Sequence, residues 1–134
     1  MITLFLSYAV DDSEALEIVG RFDALLFKLG LVKSREEILL ADFLAKKFTA
    51  EGKSIARKFK YEFLLWLTGK KDIRSAFECS APSGGKALLI LFDASKKKSL
   101  MAALGAKILK NNLERAKRAQ PLDLERISLS RTLS

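Results

Sequence analysis

Short apolar runs and longer stretches with helical spacing divide the chain into predicted strands and helices. Ile2 to Ala9 is short, β-branched and aromatic, and predicts a strand. Asp11, Asp12 and Ser13 then offer N-caps for a helix carrying Ala15, Leu16, Ile18 and Val19. The stretch RFDALLFKLGLV (Arg21 to Val32) fits either a continued helix or a second strand, because short apolar runs do not discriminate. Gly30 breaks it in either case. Ser34, with Glu37 three residues on, forms a capping box ahead of Ile38, Leu39, Ala41, Leu44, Ala45 and Phe48, a helix pattern. Gly52 turns the chain within TAEGKS, and Ser54 stands where it would cap the next helix.

In that next helix, Ile55, Ala56, Phe59, Phe63, Trp66 and Leu67 share one sector at about 100° per residue, which predicts a core stripe rather than a stacking platform for bases. Arg57, Lys58, Tyr61 and Leu65 fall on the opposite face. Gly69 suits the left-handed position that ends a helix. A short helix follows, with Ile73, Ala76 and Phe77 expected inward and Lys70, Lys71 and Arg74 on its other side. SAPSGG reads as a loop and KALLILFD as a buried strand. Gly84-Gly85 before Lys86 is not a phosphate loop. The first glycine of that pattern is missing, and the loop precedes a strand instead of joining strand to helix. Asp93 or Ser95 caps a helix to about Leu104, ended by Gly105, and AKIL can add a short edge strand. A basic segment then leads to Pro121 and a final helix, Leu122 to about Leu133. Its apolar residues lie on two sides: Leu122, Leu129 and Leu133 on one, Leu124 and Ile127 on the other. Either both sides are covered internally or one meets a partner.

These elements predict an α+β fold with a small mixed β-sheet packed with several helices, and 134 residues are enough for a single domain, 1–134. With 49% apolar residues and only two prolines, the chain is expected to fold. The 24 Lys and Arg against 16 Asp and Glu give a formal charge of +8, which favours anionic partners.

Histidine is absent, which removes the usual general base near neutral pH and the commonest metal ligand. Cys79 is the one cysteine, so no internal disulfide and no Cys/His zinc cluster is expected; it reads as a small half-buried residue in a reducing cytoplasm. The opening MITLFLSYAVDDSE has no basic start and too short an apolar run for a signal peptide or membrane span. The adjacent acids Asp11-Asp12 and Glu36-Glu37 suit helix N-termini, and neither makes a catalytic pair. No catalytic residue, cofactor or metal is expected.

Taken as a unit, KSIARKFKYEFLLWLTGKKDIRSAF (Lys53 to Phe77) resembles the small accessory subunit of the KEOPS complex, the subunit that binds the complex's Bud-type atypical kinase. That family's pattern runs Ile-Ala, a spaced aromatic or apolar residue, Glu-Ile-Leu, Ser/Thr-Gly, Arg-Gln-Ile and a following Ala. Here Ile55-Ala56, Phe59, Glu62-Phe63-Leu64, Thr68-Gly69, Lys71-Asp72-Ile73 and Ala76 occupy those places without a gap. SREEILLADFLAK resembles the preceding helix, ALLILFD a strand, and LERISL the closing helix.

The resemblance implies a mixed α/β domain with a non-catalytic role in making threonylcarbamoyladenosine in tRNA. It implies two partners, the kinase subunit and the 3′ CCA end of tRNA. By matching position it implicates Thr68, Gly69 and Lys71 in RNA binding; charge and proximity add Lys53, Lys70 and Arg74. Lys71 supplies a point charge where the family has the planar fork of Arg, and Asp72 puts a negative group where the family has Gln. Tyr61 is a conceivable stacking surface for an unpaired base. The two-sided final helix places the kinase contact at Leu124, Arg126 and Ile127. Three readings stay open: a tRNA- and kinase-binding subunit, a protein-binding regulator of the kinase without RNA binding, and an unrelated small enzyme. The trio Lys70, Lys71 and Arg74 is correspondingly either an anion-docking point or a solvated surface.

Overall fold

The structure is a computed structural model and describes residues 1–109. The expected final helix, with Leu124, Arg126 and Ile127, lies outside the described residues. Two compact units divide the rest, one of residues 1–31 with 80–109 and the other of Val32–Cys79.

The first unit is built on four strands: β1 (Ile2–Ser7), β2 (Ala24–Phe27), β3 (Lys86–Leu91) and β4 (Lys107–Ile108), in the order β2-β3-β1-β4. The α+β class is as expected, but each of these pairings is antiparallel, so the described sheet is not mixed. The stretch after Gly20 resolves as a strand because β3 pairs with it, Leu25 opposite Ile90 and Phe27 opposite Leu88. All four β2 residues are buried, and so is β3 from Ala87 to Leu91. Burial on both faces explains why these strands read as unbroken apolar runs without alternation.

Helices α1 (Asp12–Gly20) and α5 (Lys97–Leu104) pack on one face of the sheet. Ala15 and Val19 of α1 join Leu100 and Leu104 of α5 over Leu6, Leu26, Leu89 and Leu91. Asp11 caps α1 by accepting the Glu14 N–H at 2.7 Å. A 3-10 turn, Ala94–Lys96, precedes α5, and Asp93 accepts the Ser95 N–H at its start. Gly105 ends α5 with φ +60, a conformation that favours glycine, and a Cβ there would stand a tight 3.0 Å from Ala9 Cβ.

The second unit holds α2 (Arg35–Ala50), α3 (Phe59–Thr68) and most of α4 (Ile73–Ser80). The capping box forms as expected. Buried Glu37 accepts the Ser34 N–H at 2.7 Å and also the Lys33 N–H at 2.8 Å.

The helix expected from Ser54 instead begins at Phe59, with Lys58 at its N-cap position. Glu62 is the reason. Its buried carboxylate accepts the N–H groups of Ile55 and Ala56 at 3.0 and 2.9 Å. In a continuous helix, residues six or seven apart are separated by about 9–10.5 Å along the axis, so this contact requires the 53–58 segment to fold back as a loop. Ile55 is consequently exposed and leaves the expected core stripe. Leu65, expected on the outer face, is fully buried with Phe63, Leu64, Trp66 and Leu67. An apolar helix buried on nearly all sides shows no one-sided stripe. Phe48 of α2 packs on Trp66 with ring centroids 4.8 Å apart.

Candidate nucleic-acid interface

The turn between α3 and α4 begins with a backbone requirement. Gly69 adopts φ 72 and ψ 16, and its N–H returns to the carbonyls of Leu65 and Trp66 at 3.0 and 3.3 Å. That left-handed residue closes α3 and reverses the chain into Lys70 and Lys71. The helices on either side are tied by Tyr61 and Phe77, whose rings meet edge-on at 6.0 Å. Lys60 Nζ lies 5.1 Å from the Tyr61 ring centroid. Tyr61 is half-buried, engaged by its own neighbours.

Residues Lys70, Lys71, Asp72, Ile73 and Arg74 are all exposed, so the turn is a surface feature. Ile73 was expected inward; it is 37% exposed, and inward packing of α4 falls to fully buried Ala76 and half-buried Phe77. Among the described residues, Lys70 and Lys71 form no ion pair, whereas Arg74 Nε pairs with Glu78 Oε1 at 3.3 Å one helical turn on. Both partners of that pair are exposed, and such pairs contribute roughly a few tenths of a kcal/mol.

Thr68 does not face the turn. It is 4% exposed, and its hydroxyl donates to the Leu64 carbonyl at 2.8 Å inside α3. Lys53 sits on a different loop, after α2, with its Nζ 3.6 Å from Glu51 Oε2. The structure therefore brings Gly69, Lys70, Lys71 and Arg74 together on one turn, keeps Thr68 inside the helix that leads to it, and puts Lys53 on another segment.

Asp72 was visible in the sequence as a negative neighbour of Lys71, but its structural role was not read there. It immediately precedes α4, and its Oδ1 accepts the Ser75 N–H at 2.8 Å. Its carboxyl is held below the ordinary carboxylate range, first by the Ser75 backbone hydrogen bond and then by the Ser75 side chain, with Arg74 and Lys70 adding attraction. The signal was present, since an Asp three residues before a Ser and just ahead of apolar Ile73 and Ala76 is an N-cap pattern.

The two buried carboxylates in this unit, Glu37 and Glu62, both accept backbone N–H groups and serve local folding. Among the described residues no group of three or more His, Cys, Asp or Glu side chains could hold a metal ion, and no helix is long and apolar enough to cross a membrane.

Over 63 residues the chain is 36% identical to the KEOPS complex subunit Cgi121 of Pyrococcus abyssi. The shared stretch covers 47% of this chain and 37% of that protein, so the likeness spans little more than a third of the relative's length. No protein-family profile matches the chain.

Proposed function

We propose that this protein is a non-catalytic, KEOPS-associated subunit of the tRNA threonylcarbamoyladenosine machinery. It binds the kinase subunit of that complex and recruits tRNA by its 3′ CCA end in the cytoplasm. The observation that carries the RNA half of this reading is the exposed turn at Gly69, where Lys70 and Lys71 have no described ion-pair partner. Two cationic side chains on a surface hinge supply the charge that a phosphate backbone recognises. The likeness to a KEOPS complex subunit supports the same assignment. The kinase contact belongs to the C-terminal segment, through Leu124, Arg126 and Ile127.

A gel-shift of the full chain with intact and CCA-trimmed tRNA at two salt concentrations tests it. Intact tRNA binds more tightly, and the affinity falls as salt rises. Equal binding of the two tRNAs removes the 3′ end from the assignment.

A second reading has its own support. Asp72 and Glu78 stand among the three cations of the turn, which reduces the attraction for a polyanion. On this reading the protein regulates the kinase subunit by protein contact alone. It then stimulates the kinase and shows no salt-dependent tRNA binding.

A further inference from the structure

Three cations, Lys70, Lys71 and Arg74, surround the start of α4, and that start already holds an anion. Asp72 Oδ1 takes the Ser75 N–H, one of the amides that an incoming phosphate would otherwise use at a helix N-terminus. Arg74 makes a weak, exposed ion pair with Glu78. Among the described residues, Lys70 and Lys71 are the cations of this turn that make no ion pair.

We infer that Asp72 is a built-in competitor at this turn: held in place by the Ser75 amide, its carboxylate offsets the charge that Lys70 and Lys71 present to an outside anion. The inference rests on the RNA-binding reading above and specifies how that site is regulated. Two ammonium groups supply point charges without the planar fork that orients a phosphate. Binding is then weak, strongly salt-dependent and indifferent to the geometry of the phosphate. Asp72 is a positioning residue here, acting through charge and through the Ser75 amide, and it is not itself a contact with RNA. The lowered carboxyl pKa agrees with this, because the internal anion stays charged near neutral pH.

The test replaces the charge and keeps the cap. Asn and Ser both accept the Ser75 N–H at an N-cap, so Asp72→Asn and Asp72→Ser leave α4 capped. With the full chain and an intact tRNA, both variants bind about three- to tenfold more tightly than the natural chain at low salt, as expected for removal of one neighbouring like charge in water. Their melting temperatures fall by a few degrees at most, the cost of losing one charge at a helix N-terminus. Lys71→Ala combined with Asp72→Asn loses most of the gain.

If the natural chain binds tRNA and the Asn and Ser variants bind no tighter, the competitor role is wrong and the RNA-binding reading stands. If only the variants bind, the competitor role holds and the natural chain is the kinase regulator of the second reading. If none of the three binds, both ideas fall together.

Discussion

Asp12 Oδ1 accepts the backbone N–H of Gly85 at 3.1 Å, across 73 residues of chain. Its other oxygen accepts the Gly84 N–H at 3.1 Å, and the Tyr8 hydroxyl donates to the same carboxylate. The glycine pair is therefore a cradle for an anion after all, and the anion is the protein's own. The contact joins the start of α1 to the loop entering β3, which fixes the β1–β3 register from outside the ladder.

A pH dependence follows from that carboxylate. Its pKa is lowered from 3.8, first by the Tyr8 hydrogen bond and then by the Gly85 amide. A lowered native pKa means stability that is fully present above about 4 and is lost as pH falls through the native value. Asp12→Asn should destabilise the chain at pH 7 and show a smaller loss between pH 7 and pH 3, measured by urea midpoints across that range. Identical pH profiles for the two proteins would remove Asp12 from this role. Asp11 and Asp93, also lowered by hydrogen bonds to nearby groups, keep some acid sensitivity in the variant.

Glu62 gives a second expectation. Glu62→Ala leaves the Ile55 and Ala56 amides without their acceptor and opens space in a buried site, at a cost of about 2–4 kcal/mol. Glu62→Gln retains one carbonyl oxygen and should lose less. Urea denaturation measures both, and limited proteolysis should cut the Ala variant first within residues 53–58.

Charge reversal at the hinge separates folding from binding. Lys71 is exposed and makes no described ion pair, so Lys71→Glu should leave the melting temperature unchanged. In a tRNA titration at several salt concentrations, affinity should drop by about tenfold and the salt slope by about one unit. An unchanged affinity takes Lys71 out of the interface.

The proposed kinase contact has a direct check. Truncation at Pro121, or Leu124→Asp with Ile127→Asp, should abolish copurification of the kinase subunit while tRNA binding persists. Copurification that survives both changes places the contact elsewhere.

The elements with local punctuation were legible in the sequence. The Ser34–Glu37 box, the Asp11 cap, and the Gly69 and Gly105 stops are decided by residues within a few positions of one another, and they stand where the pattern put them. The basic hinge was legible for the same reason, since Gly69, Lys70 and Lys71 are adjacent. The ambiguous run after Gly20 was not, because β2 exists by pairing with β3 more than 60 residues later. Likewise Ser54 was a plausible cap until Glu62 claimed the amides of Ile55 and Ala56.

By itself, then, the sequence determined an α+β chain with a net positive charge and a lysine-flanked glycine hinge, because capping, turn chemistry and charge are local properties. Tertiary structure decided which anions the protein supplies to itself: Asp12 at the glycine pair, Glu62 beneath the 53–58 loop, and Asp72 at α4. A carboxylate settles on whichever backbone amides the fold leaves without a partner, and only the three-dimensional arrangement says where those amides are.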